Sequence, residues 1–307
     1  MNRRKFLKQA VLWSAGLMAA PPVFDLAAEA LGAENSETPD IFVATGKEIP
    51  AMVRQMVDAM GGMSQFVTQG DTVVIKPNIG WDRTVEQAAN THPEVVTALA
   101  VLALEAGAAK IQVFDRPCNE KRRCYQNSGI KPALDAMNDR RISCEYMDDR
   151  KFVPVKITDG RSLTEWPFYR DALAADCYIN VPVAKHHGSS TLTLGLKNAM
   201  GVIGGARGRL HMDLGPRIAD LNLVIRPDLT VVDATRILLR NGPSGGNLAD
   251  VKVMDTLVAG IDPVAVDAWA TTLFGLKPAD ISSTVEGFER GLGQMDLSKC
   301  RIHMLEV

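Results

Sequence analysis

The 307-residue sequence predicts an α/β fold: a doubly wound, mostly parallel sheet with crossover helices. Two observations carry that expectation. Short runs of β-branched and aromatic residues alternate with stretches of helical periodicity, the pattern of parallel strands joined by crossover helices. Polar residues also recur at the carboxyl ends of successive strand runs, where open α/β sheets keep their ligand crevice.

Taken in order, Ile41 to Ala44 (IFVA) reads as the first strand. Pro50 to Met60 follows as a helix, with Met52, Val53, Met56 and Val57 at three- and four-residue spacing. Thr72 to Ile75 (TVVI) is a strand running into Lys76-Pro77-Asn78. Thr91 or His92 caps the next helix, with Pro93 in its first turn and Gly107 at its end. Ile111 to Phe114 (IQVF) is the strand after it, and Asp115 stands at its end. A helix is expected around Ser128 to Met137, then strands near Cys144 to Met147 and at Tyr178 to Val181, the latter leading to Lys185-His186-His187. Leu229 to Val232 ends in Asp233, and Thr256 to Ala259 precedes Asp262-Pro263 and a helix over Val264 to Phe274. Residues 118–170 leave room for a small second lobe.

The N-terminus, MNRRKFLKQAVLWSAGLMAA, resembles a twin-arginine export signal. Arg3 and Arg4 lie in a basic region, followed by an apolar stretch from Ala10 to Ala20 that is too short for a membrane span. Residues 1–33 are therefore assigned as the signal, 34–40 (ENSETPD) as a polar linker and 41–307 as the α/β domain. Export by the twin-arginine translocase implies a periplasmic protein that crosses the membrane already folded. That route often accompanies a cofactor or metal inserted beforehand.

Composition narrows the partners. The chain is 46% hydrophobic and 23% charged with a net charge of −2, which gives no support to nucleic acid as a partner. No later apolar run approaches the length of a bilayer span. Five cysteines are too few for a disulfide-built scaffold, and the odd number leaves at least one thiol unpaired or bound to something else.

Several residue groups carry potential chemistry. Lys76 and Asn78, fixed by Pro77, could bind a carboxylate or phosphate, or form an ordinary salt-bridged strand end. His92 at a helix N-terminus is disfavoured in its protonated form, which leaves it free as a base, a metal ligand or simply a cap. One of His186 and His187 could join a metal with His92 or His211, or the pair could simply be exposed in a loop. Lys197-Asn198 lies in a helix among Leu192, Leu194, Leu196, Ala199 and Met200, so Lys197 either snorkels outward or faces a cleft. The glycine-rich stretches Gly201–Arg209 and Asn241–Gly246 match no nucleotide motif; they are anion cradles or plain connectors. Cys118 and Cys124, in CNEKRRCYQNSG, form either a small disulfide loop or thiolate ligands of a metal or iron–sulfur cluster. No CxxCxxC run is present, and GxSxG, HExxH and SxxK are absent as well.

Taken together, VVIKPNIG, THPEVVTALAVLALEAGAAKIQVFD, YINVPVAKHHGSSTLTLGLKNAMGVIGG, IADLNLVIRPDLTVVDATRILLRNGPSGG and AGIDPVAVDAWA resemble the domain-of-unknown-function 362 family over about residues 70–307. The matching positions are Lys76, Asn78, His92, Asp115, Lys185, His186, Lys197, Asn198, Asp233, Asn241, Gly242, Asp262 and Asp267. Many relatives carry a ferredoxin-like double-cluster segment, which implies redox chemistry. This sequence lacks that segment and resembles the exported branch.

The expectation is an exported redox- or metal-dependent enzyme, an oxidoreductase in the broad sense, acting on a small anionic substrate at the strand carboxyl ends. His92, Lys185, His186 and Lys197 would be catalytic. Lys76, Asn78, Asp115, Asn198, Asp233, Asn241 and Gly242 would bind substrate, and Cys118 and Cys124 a metal or iron–sulfur cluster. The alternative is a non-catalytic periplasmic anion-binding protein with a structural Cys118–Cys124 disulfide.

Overall fold

The computed structural model describes residues 40–307; the expected signal and residues 34–39 of the linker lie outside the described residues. Asp40, assigned to the linker, instead opens the first strand, β1 (Asp40–Thr45). There follow α1 (Ile49–Ala59), β2 (Thr72–Pro77), α2 (Pro93–Glu105), β3 (Lys110–Val113), α3 (Lys121–Asn127), α4 (Ile130–Ala136) and β4 (Ile142–Cys144). The middle of the chain contributes β5 (Phe152–Lys156), β6 (Glu165–Tyr169), α5 (Arg170–Ala174), β7 (Cys177–Val181), β8 (Val183–His187), β9 (Thr191–Thr193), α6 (Gly195–Asn198) and α7 (Leu214–Val224). The last elements are β10 (Leu229–Leu238), β11 (Val251–Gly260), α8 (Pro263–Thr272), α9 (Ser282–Glu289) and β12 (Arg301–Glu306).

The main sheet runs β12-β1-β11-β10-β7-β2-β3-β4, with the β8–β9 hairpin attached to β10. Strands β10, β7, β2, β3 and β4 run parallel to one another, while β11 opposes both β10 and β1. Both faces are buried, as in other largely parallel sheets. Strand alternation divides the side chains between them. Phe42, Ala44, Val73 and Ile75 pack with α1, α2 and α4 on one face. On the other, Ile41 and Val43 pack with α8, and Val74 with α5, α6 and α7. The expected α/β architecture is the observed one.

Local differences have local causes. The helix expected over 128–137 is two short helices, because Gly129 adopts φ 76° between α3 and α4. The lobe expected from 118–170 contracts to the antiparallel pair β5–β6, since α3, α4 and β4 belong to the main sheet and its cover. The expected helix around Lys197 is one turn. Leu192 lies in β9, and Leu194 is extended at the start of that turn.

From β2 the chain proceeds to β3 and β4 on one side, then returns to β7 on the other. The carboxyl ends of β2 and β7 therefore face a topological switch point, where sheets of this kind bind ligands. In the β2–β7 register, Lys76 is opposite Asn180 and Pro77 opposite Val181.

Candidate functional site

Lys76 is the last residue of β2 before Pro77, and it is fully buried. Its ammonium pairs with Asp115 Oδ1 at 2.9 Å and donates to Asn198 Oδ1 at 2.7 Å and to the Pro77 carbonyl at 2.8 Å. Asp115 Oδ2 accepts from the Ile79 N–H at 2.6 Å, which ties the end of β3 to the turn after β2. Asn198 Nδ2 donates to Asn180 Oδ1 at 2.9 Å, and Asn180 Nδ2 donates to the Gly195 carbonyl at 2.9 Å. An amide chain thus clamps α6 across the ends of β2 and β7. Burial pulls Lys76 below its ordinary pKa, and the Asp115 carboxylate offsets part of that pull.

Two more lysines join this centre. Lys185, on β8 and 1% exposed, donates to Asn78 Oδ1 at 3.0 Å and to the Ala89 carbonyl at 2.5 Å. Asn78 in turn donates to Asn198 Oδ1 at 3.1 Å, so Lys76 and Lys185 are linked through two amides. Burial lowers Lys185 to about 7; the Cys118 sulfur, when charged, pulls the other way, and Lys197 adds to the lowering. Lys197 is 8% exposed, and among the described residues its one hydrogen-bond partner is Met200 Sδ at 3.7 Å. Burial lowers it to about 8, with Cys118 again opposing and Arg207 and Lys76 reinforcing. Lys197 is buried rather than snorkelling outward.

Asp267 and Gly201 hold this arrangement in place. The Asp267 carboxylate is buried at the N-terminus of α6, where it accepts from the N–H groups of Gly195 at 2.7 Å and Leu196 at 2.9 Å. Burial nevertheless raises it to about 7, against those two hydrogen bonds. Gly201 passes directly over the ion pair. A Cβ there would lie 1.9 Å from Asp115 Oδ1 and 2.3 Å from Lys76 Nζ.

Other expected residues form a separate neighbourhood. His92 caps α2, its Nδ1 accepting from the Glu94 N–H at 3.2 Å, and its own N–H donates to Asp233 Oδ2 at 2.7 Å. Burial lowers its pKa against the charges of Asp233 and Glu94. Asp233 also accepts from the Thr235 N–H and hydroxyl, so it is a tether between α2 and β10. His186 points away from its strand neighbours Lys185 and His187, and its Nδ1 accepts from the Gly242 N–H at 3.1 Å. A Cβ at Gly242 would meet the His186 carbonyl at 1.9 Å, and Asn241 donates to Asp250 Oδ2 at 2.7 Å. These contacts fasten the Asn241–Gly246 loop against β8.

Asn180 is the residue that sequence reasoning passed over, whereas His187, Arg207 and His211 were weighed there but not placed in the expected site. His187 shares the Lys185 side of β8, a placement legible from strand alternation. Burial pushes its pKa down to about 3, with Lys197 next in effect. Its ring stacks on His211 with centroids 5.8 Å apart. Arg207 donates to the carbonyls of Arg116 at 2.7 Å and Pro117 at 2.9 Å, securing the segment that carries Cys118. A cavity of about 190 Å³ adjoins this segment, lined by Arg116, Asn119, Lys121, Tyr146 and Asp149 among others; neither Lys185 nor Lys197 lines it.

The sequence matches the family described as Domain of unknown function (DUF362) over residues 73–272, a span that holds every residue of the lysine cluster. The chain belongs to that family. It is 30% identical over 250 residues to the thylakoid-associated protein sll1697 of Synechocystis sp., covering 79% of this chain and 75% of that one. A crystal structure of a Thermotoga maritima protein aligns with TM-score 0.40 and 11% identity, over 74% of this chain and 58% of that structure's length.

In this DUF362 protein Cys118 is exposed, Cys124 is buried on α3, and both are free thiols. Burial pushes the Cys124 thiol up to about 11 and the Cys144 thiol up to about 12. Cys177 is buried inside β7, and Cys300 precedes the edge strand β12. No group of three or more His, Cys, Asp or Glu side chains among the described residues is arranged to hold a metal ion.

Proposed function

We propose that this protein is an enzyme acting on a small anionic molecule held at the β2/β7 switch point, with lysines in place of a metal. One observation carries the reading. Lys76, Lys185, Lys197 and Arg207 influence one another there, while Asp115 is the carboxylate paired with Lys76, leaving an excess of buried positive charge. Buried ammonium groups without counter-charges are costly, and a bound anion would supply the missing charge. Asn78 and Asn198 fix the amines in position and keep them apart. Lys185, poised near neutrality, would give or take a proton at the substrate. No step is assigned to a metal or to Cys124.

The reading is tested by thermal shift with inorganic phosphate, sulfate and oxalate on the mature chain and on Lys185→Met and Lys197→Met. Stabilisation of the parent by one or more of these anions, reduced at least tenfold in apparent affinity in both variants, is expected. Equal responses in parent and variants would overturn it.

The site is further proposed to work outside the cytoplasmic membrane, on the strength of the Arg3-Arg4 leader. No helix among the described residues is long and apolar enough to cross a membrane. Replacing Arg3 and Arg4 together by Lys should leave folded precursor in the cytoplasm, and normal export of that variant would remove the assignment.

A further inference from the structure

The three lysines are not equivalent. Lys76 is committed to Asp115, Asn198 and the Pro77 carbonyl. Lys185 is committed to Asn78 and Ala89. Lys197, nine-tenths buried, has a thioether as its one partner among the described residues. Met200 Sδ is a weak acceptor and contributes little to holding an ammonium. The fold therefore places one amine in a dry setting with its nitrogen lone pair unoccupied once the proton is gone.

The surroundings favour that loss. Arg207 and Lys76 are cations within electrostatic reach, and His187 and His211 present imidazoles kept neutral on the same side. An amine desolvated beside other cations is the arrangement that makes lysine a nucleophile toward carbonyl carbon. Lys197 keeps 8% of its surface exposed, and two exposed residues, Cys118 and His211, lie within its electrostatic reach.

We propose that Lys197 is a covalent catalytic residue whose ε-amine forms an imine with the carbonyl carbon of a small 2-oxo acid, the carboxylate of which is held by the neighbouring cations. This deepens, and rests on, the anion-binding reading of the same site. In the step, the neutral amine nitrogen adds to the carbonyl carbon as the C=O π bond breaks, and the proton the nitrogen then gives up passes to the former carbonyl oxygen to give a carbinolamine. Loss of water then leaves a protonated imine, with no change in oxidation state and no other reactant. Lys185, an ammonium within electrostatic reach of Lys197, would supply the proton for the departing water. The cationic imine then withdraws electrons from the adjacent carbon, the condition for removing a proton or carboxylate there.

The test uses pyruvate as the simplest probe. The mature protein is incubated with pyruvate, treated with sodium borohydride, and digested for peptide mass spectrometry beside a sample without pyruvate. Stoichiometric reductive modification confined to Lys197, lost in Lys197→Arg while thermal stability is retained, is expected. Absence of modification, or modification spread over surface lysines, overturns the proposal. Anion stabilisation by phosphate, measured on the same samples, separates the two readings: binding without trapping removes only the imine, and trapping without phosphate or sulfate binding removes only the general anion reading. Neither result in the parent removes both.

Discussion

Gly201 lies against Asp115 so closely that a single methyl group on its Cα would fall 1.9 Å from the carboxylate oxygen. The glycine is thus required by packing over the Lys76–Asp115 pair. Gly201→Ala should destabilise the fold by roughly 3 kcal/mol, through overpacking and a disturbed buried ion pair. Urea unfolding midpoints measure this, and a loss within error of zero would contradict the geometry.

The ion pair itself should behave as a unit. Asp115→Asn leaves the Lys76 ammonium buried against a neutral amide and should cost about 3–5 kcal/mol. The double variant Lys76→Met, Asp115→Leu should recover much of that loss, because it leaves no unpaired buried charge. Additive losses in a double-mutant cycle would show that the two side chains do not interact.

Stability should rise with pH across the alkaline limb. Lys185 and Lys197 sit at about 7 and about 8 when folded, against an ordinary value of 10.5. Between those limits the unfolded chain binds more protons than the folded one, so unfolding is progressively disfavoured as pH increases. Lys185→Met should flatten that slope in unfolding measurements from pH 7 to 10. Phosphate-induced stabilisation should show the opposite trend, fading as the amines lose charge.

Asp267 should contribute with the reverse sign. Its folded value of about 7 lies above the ordinary 3.8, so the folded state holds the extra proton and stability falls as pH rises through that window. Asp267→Asn should remove this dependence while keeping an acceptor for the Gly195 and Leu196 N–H groups. Asp267→Ala should cost about 2 kcal/mol, as a lost helix cap. Thermal unfolding of both variants at pH 5 and pH 8 decides the matter.

The two loop cysteines should differ sharply toward iodoacetamide. Cys118 is exposed and should alkylate within minutes, while Cys124, buried and pushed up to about 11, should react only after unfolding. Equal rates would overturn this placement, and protection of both in protein from its native compartment would restore the disulfide or metal reading.

Much of the centre was legible because strand ends announce themselves. Lys76, Asn78 and Asp115 follow unmistakable β runs, and the switch-point rule places such residues together. Lys197 was legible as a charge among apolar neighbours, although its element was not. A stretch of leucines carries no signal that separates a long helix from a strand followed by one turn. His187 was hidden beside His186 because β8 was not recognised as a strand, and only strand alternation reveals which of two adjacent histidines faces the lysines. Asn180 lay inside an apolar run, where its role depends on α6 arriving across the sheet. Strands β5, β6, β9 and β12 are short or edge segments, defined by partners distant in the chain rather than by their own pattern.

The hydrogen bond from Lys76 to Asn198 spans 122 positions of the chain. Closing so long a loop carries an entropic cost that the contacts of α6 on β2 must offset. A chain ending before Gly195 would lack the α6 amide that receives the Lys76 ammonium. The amide clamp around Lys76 is consequently a property of the finished molecule: a half-assembled chain has no partial version of it to offer.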